Sequence, residues 1–201
     1  MKSNSLPFDS SYPDHYQMYT ISIYTEDNVG LLGRMTQIFT RRKLNISSIT
    51  ASESEVKGVH RFTIVLPSHE ALAVKVVQQI NKQIGVLKAF LHTDDSIVWQ
   101  EIALYKVRTA VLTSGEHQLE KIIRKHFARI LSVESEFVVI EKTGHKDENL
   151  ALFNDLEPLG VLEFVRSGRV AITKPMKEIA TYLKELEEQK NYLNVSNNYE
   201  D

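Results

Sequence analysis

The stretch Tyr24–Thr50, YTEDNVGLLGRMTQIFTRRKLNISSIT, sets an acidic residue and a glycine ahead of an amphipathic helix and ends in a polar run. Leu31, Leu32, Met35, Ile38 and Phe39 recur at helical spacing while Arg34, Arg41 and Arg42 are left for solvent, so the helix lays one apolar stripe on a neighbouring layer. Lys43 and Leu44 lead out of it. Upstream, Tyr19, Ile21 and Ile23 alternate with Thr20 and Ser22, the period of a half-buried strand. Downstream, a strand from Asn45 to about Ser52 and another from Val59 to Leu66 flank ESEVKG, whose charges and Gly58 suit a hairpin turn, and Pro67 closes the second of them. Leu72, Val76, Val77, Ile80 and Ile84 mark a further helix, with Ser68 as its N-cap and Gly85 as its stop. A strand through Val86, Leu87 and Leu91 completes the order βαββαβ.

The order then repeats. After the polar break His92–Ser96, IVWQEIALYKVRT resumes strand-like alternation. Leu119, Ile122, Ile123, His126 and Phe127 form a helical stripe after Ser114 and Gly115. Strands follow at about Ala128–Val133 and Phe137–Glu141, separated only by a tight ESE turn. A short helix through Leu150, Phe153 and Leu156 passes Pro158 and Gly160 into VLEFVRSGRVAIT, a strand interrupted at Ser167 and Gly168. Met176, Ile179, Ala180, Leu183 and Leu186 make a last amphipathic helix, and the tail from Asn191 is polar. The reading is an α+β chain: a mobile lead-in at 1–17, a βαββαβ domain at 18–93, a second βαββαβ-like domain at 97–174, and a helix with a frayed tail at 175–201.

Composition narrows the function. The 24 basic and 26 acidic residues of the 201 nearly cancel, so no global field gathers nucleic acid or an anionic membrane. The absence of cysteine excludes thiolate chemistry and every cysteine metal site, and suits a reducing cytoplasm. The N-terminal run has neither the apolar core of a signal peptide nor the length of a membrane span. Phosphate-loop, dinucleotide and zinc-hydrolase motifs are missing, and the histidines at 15, 60, 69, 92, 117, 126 and 145 include no helical metal pair. His126 reads as a packing histidine, and the pairs Glu53/Glu55, Asp94/Asp95 and Glu134/Glu136 as solvated turn charges. No catalytic centre and no metal site is expected. An RNA-recognition fold shares the βαββαβ order, but KGVHRFTIV lacks the stacking aromatics, and Leu31 and Leu32 of GLLG are no basic clamp.

A helix N-terminus exposes unpaired N–H groups and a positive dipole end, which suits a carboxylate or phosphate. Asp27 can cap those amides itself, or face outward and take an ammonium; Gly30 either permits the turn or lets a ligand approach. The residues alone leave both readings open.

EDNVGLLGRMTQIFTRRKLNISSIT, however, resembles the signature of the ACT domain, a βαββαβ module that binds amino acids. More narrowly it is similar to the small subunit of acetolactate (acetohydroxyacid) synthase, with its Asn-x-x-Gly-x-Leu and Arg-x-x-Asn-Ile patterns. IGVLKAFLHT, QEIALYKVRTA and LEFVRSGRVAIT resemble later motifs of the same family in the same order, over about residues 18–174. The resemblance implies a noncatalytic regulatory subunit that activates a catalytic large subunit and confers feedback inhibition by valine, leucine or isoleucine. Thiamine diphosphate, magnesium and FAD would belong to that partner, with no cofactor here. It also implies a homodimer through paired ACT domains, with the effector held where two chains meet, by Asp27, Gly30, Leu31 and Leu32 at the first loop and by Asn45 and Ile46 after the helix. One departure stands out: Asp27 occupies the position of the family's usual Asn and would repel a nearby carboxylate by about 1 kcal/mol. The alternative is an ACT sensor serving a different enzyme or transcription.

Overall fold

The computed structural model describes residues 16–113, 118–174, 184 and 188. The expectations for the lead-in, for Ser114 and Gly115, for the stripe Met176, Ile179, Ala180, Leu183 and Leu186, and for the tail from Asn191 lie outside the described residues. The chain divides into two compact units, Met1–Ile97 with Lys174–Asp201, and Val98–Thr173.

The first unit runs β1 (Gln17–Glu26), α1 (Leu31–Arg41), β2 (Ser48–Glu53), β3 (Val59–Ser68), α2 (Glu70–Ile80) and β4 (Val86–Thr93). Its antiparallel sheet has the order β2-β3-β1-β4, with Ile21 opposite Ile64 on one side and Leu91 on the other. This is the ferredoxin-like arrangement. The helices cover one face, burying Tyr19, Ile21, Ile23 and Ile64 against Leu31, Met35, Phe39, Val76 and Ile80. Each such side chain contributes about 1.5–3 kcal/mol by leaving water.

Four local expectations need correction. Pro67 does not close β3 but lies within it, opposite Met18. Val65 O, two residues earlier, accepts from Ser47 N–H, so the missing Pro67 N–H faces the side where β2 has already ended, which is where a strand tolerates proline. Ser68 belongs to β3 and α2 is preceded by His69, with no side-chain cap. Leu32 and Ile84 are 41% and 76% exposed, outside the core stripes. Strand β1 is also buried on both faces rather than one, Thr20 and Ser22 included. On the face away from the helices, Tyr24, Val56, Val59 and Leu87 cluster with Phe90.

The second unit repeats the order with β5 (Ile97–Arg108), α3 (Ala110–Thr113), α4 (Gln118–Lys125), β6 (Arg129–Val133), β7 (Phe137–Gly144), α5 (Lys146–Leu156), β8 (Val161–Arg166) and β9 (Val170–Thr173). The sheet order is β6-β7-β5-β8, with β9 also on β5. The break at Ser167–Gly168 is as read from sequence. Ser167 N–H donates to Ile102 O (2.8 Å) and Ile102 N–H to the Ser167 hydroxyl (2.9 Å), so the hydroxyl stitches the interruption to β5. Tyr105, Val107, Val138, Ile140, Leu119, Leu152 and Leu156 form the core. Two residues fall elsewhere than expected: α5 turns Asn149, Leu152 and Leu156 inward rather than Leu150, and Phe127 leaves its helical stripe to stand 93% exposed.

Candidate functional site

The loop between β1 and α1 is held from below by Gly85, whose carbonyl accepts from Glu26 N–H (2.9 Å). Asn28 Nδ2 donates to Glu26 Oε2 (2.8 Å), and Leu31 N–H to Asn28 O (3.3 Å). Gly30 precedes the helix at φ 81°, a left-handed conformation, and a Cβ there would meet nothing within 4 Å. No side chain caps α1. Asp27, the cap that sequence allowed, instead turns outward: its side chain is 69% exposed and Oδ1 lies 3.4 Å from His60 Nε2. The result is an uncapped helix N-terminus with an outward carboxylate beside it, facing open space.

His60 escaped sequence reasoning. It reaches the loop because β3 pairs with β1, placing His60 opposite Thr25, a neighbour that no local motif encodes.

The remaining candidates lie at the other end of α1. Eleven residues of helix span about 16 Å. The strands agree: Glu26 pairs with Val59 at one end of the sheet, whereas Ser48 pairs with Val65 near the other. Asn45 is exposed there, and Ile46 packs against the unit's core. One chain therefore brings Asp27, Gly30, Leu31 and Leu32 together, and Asn45 with Ile46, as two separate half-sites. The leucines divide the work too: Leu31 is 2% exposed, so only its backbone faces the loop, while Leu32 at 41% and Val29 at 104% offer apolar surface.

The polar residues of the second unit's motifs turn inward for structure. Arg169 Cζ lies 3.6 Å from the centre of the Trp99 ring, and His145 stacks on the same ring with centroids 4.1 Å apart. Glu101 and Arg166 form an ion pair at 2.9 Å, although the guanidinium N–H does not point along a hydrogen-bond line to that oxygen. Burial pushes the Glu101 carboxyl above its usual range, opposed by Arg166, Arg169, Lys146 and His145. His126 is 11% exposed and meets Asp155 at 2.7 Å, so it packs as read, and its bond with that of Lys125 holds the Asp155 carboxyl low. The carboxylate pairs Glu53/Glu55, Asp94/Asp95 and Glu134/Glu136 are all exposed. Among the described residues no group of three or more His, Asp or Glu could hold a metal ion, and no helix is long and apolar enough to cross a membrane. Tyr19, Tyr24 and Phe62 are buried and offer no stacking face to a nucleobase.

A ferredoxin-like unit with this loop and helix is the ACT arrangement, a class of regulatory fold. Residues 21–88 match the model of the AHAS small subunit-like ACT domain, and residues 100–175 that of the small subunit of acetolactate synthase. Similar relatives include the acetolactate synthase small subunits of Mycolicibacterium smegmatis, 34% identical over 78% of this chain and 91% of the relative, and of Bacillus subtilis, 35% identical over 80% and 93%. The crystal structure of the small subunit from Thermotoga maritima superposes with a TM-score of 0.71 at 27% identity, covering 80% of this chain and 99% of that one. The chain belongs to the acetolactate synthase small subunit family.

Proposed function

We propose that the chain is the noncatalytic regulatory subunit of an acetolactate synthase, activating a thiamine-diphosphate-dependent large subunit and making it sensitive to a branched-chain amino acid. The observation that carries this is similarity to small subunits along both units at once, in the same order and over about four fifths of the chain. Thiamine diphosphate, magnesium and FAD would reside on the large subunit.

The effector reading is supported by the two half-sites. Their separation by the length of α1 means that a single amino acid cannot touch both in one chain. A second copy, its ACT sheet beside the first, would bring Asn45 and Ile46 of one chain to the loop of the other. The effector carboxylate would lie on the amides following Gly30, its ammonium near Asp27 and Asn45, and its apolar side chain against Leu32 and Val29. Leu31 and Ile46 would contribute backbone and shape.

The test mixes the purified chain with the acetolactate synthase large subunit of the same genome and follows acetolactate formation with and without valine, leucine or isoleucine. Activity several-fold above that of the large subunit alone, with no turnover by this chain alone, is the expected outcome. Turnover by this chain, or no stimulation, overturns the proposal.

A further inference from the structure

Phe127 occupies a position that ordinarily takes glycine. Helix α4 closes with paired turns in which Ala128 N–H donates to Ile123 O (3.0 Å) and Phe127 N–H to Arg124 O (3.3 Å). That closure requires a left-handed residue between them, and Phe127 adopts φ 52°. Helix α1 closes identically around Lys43 at φ 53°, where Leu44 N–H reaches Phe39 O (3.0 Å) and Leu44 packs into the core. Lysine at this place leaves a charged, hydrated side chain in water. A bulky aromatic in this conformation is a real outlier, and burial of the ring does not offset its strain, since Phe127 is 93% exposed.

Two residues further, β6 forms the edge of its sheet. Its Ile130, Leu131 and Val133 are 40%, 51% and 55% exposed. The ladder to β7 slips between Ile130 and Ser132, a bulge at Leu131 that leaves Arg129, Ile130 and Leu131 all exposed. Such a bulge works against edge-to-edge pairing with a second copy. The surface therefore offers side chains rather than a backbone template. Neighbouring charges are already engaged, Arg129 with Glu141 at 2.6 Å and Lys125 with Asp155 at 2.7 Å, so the complementary surface is apolar rather than charged.

We propose that Phe127, with Ile130, Leu131 and Val133, anchors this chain in an apolar pocket of the catalytic large subunit. This rests on the regulatory reading above, which supplies that partner. Phenylalanine is among the residues enriched at protein interfaces, the exposed aliphatic side chains of β6 extend the apolar surface that follows it in the chain, and the strained backbone is what holds the ring out from the fold.

The ring and the strain can be removed together. Full-length wild type, Phe127→Gly and Phe127→Trp are compared by thermal melting, by light scattering, and by calorimetric titration into the purified large subunit. Phe127→Gly should melt at or above the wild-type temperature yet lose about tenfold or more in affinity for the large subunit, while Phe127→Trp stays within about threefold of wild type. If wild type binds and Phe127→Gly binds within about twofold of it, the anchor assignment fails and the regulatory reading stands. If Phe127→Gly loses self-association at unchanged large-subunit affinity, the patch belongs to a second copy and the proposal is overturned. If wild type itself does not bind the large subunit, the regulatory reading fails with it.

Discussion

Arg166 Nε lies 2.9 Å from Glu101 Oε2, with the two side chains only 25% and 8% exposed. Replacing Arg166 by Met strands a carboxylate away from water and should cost about 2–3 kcal/mol at neutral pH. Burial already raises the Glu101 pKa, and Arg166 is the largest of the charges opposing that rise. A carboxyl whose folded pKa is raised favours the folded state most below its unfolded pKa and loses that contribution as pH climbs through the folded one. The deficit of Arg166→Met should therefore narrow as pH falls from about 7 towards 4. Trp99 is the chain's single tryptophan and sits in the same cluster, so its fluorescence during urea unfolding reads this unit. A deficit unchanged with pH would contradict the assignment.

Asp155 has the opposite sign. Bonds from His126 and Lys125 hold its carboxyl below the usual range, so its contribution is present above the unfolded pKa and disappears as pH falls through the folded one. Its side chain is one third exposed, which limits the effect of Asp155→Asn to about 1 kcal/mol or less at neutral pH. Wild type and variant should converge in acid, again followed through Trp99.

Gly85 supports the first loop from beneath. It has φ 85°, and a Cβ there would sit 3.4 Å from Asn28 Nδ2 and 3.5 Å from Leu31 Cδ1. Gly85→Ala should cost about 1–2 kcal/mol through the left-handed backbone, strain placed directly beneath the loop, while the methyl itself only makes ordinary contact with Asn28 and Leu31. Melting temperature and effector affinity should fall together. Unchanged affinity at lowered stability would place the effector away from this loop.

The proposed two-chain effector site has its own signature. Asn45→Ala should weaken effector binding about five- to tenfold. Gly30→Val should block approach to the helix N-terminus, with a backbone penalty of about 1–2 kcal/mol because Gly30 is left-handed. In that arrangement each variant homodimer would carry only damaged sites. A mixed dimer of the two variants gathers both defects into one site and leaves the other intact. Calorimetry after subunit exchange should thus recover a fraction of sites with wild-type affinity. No recovery would mean that the site lies within one chain.

Asp27→Asn asks which way the acid works. With Asp27 beside the effector ammonium, as proposed, the change should weaken binding; stronger binding would instead place Asp27 beside the carboxylate. An affinity indifferent to the change removes Asp27 from the site.

Much of this protein was legible in its sequence, because the deciding signals are local and periodic. The alternation at Tyr19, Ile21 and Ile23 and the helical spacing of Leu31, Met35, Ile38 and Phe39 arise from geometry that repeats within a few residues, and they place the central strand and first helix of the ACT unit. The Ser167–Gly168 interruption was legible for the same reason. What only the tertiary structure decided depends on partners distant in the chain. Pro67 fits inside β3 because β2 ends first, and Thr20 and Ser22 are buried although the alternation gives their face to solvent. Asp27 meets His60 through strand register, and it lies a full helix away from Asn45, although seventeen residues of sequence hint at no such separation. Phe127 has an apolar side chain and falls on a helical spacing, so local pattern assigns it to the core. The turn closing α4 forces it left-handed and points it at water, since hydrogen bonds that terminate a helix fix the backbone before the side chain can choose its side.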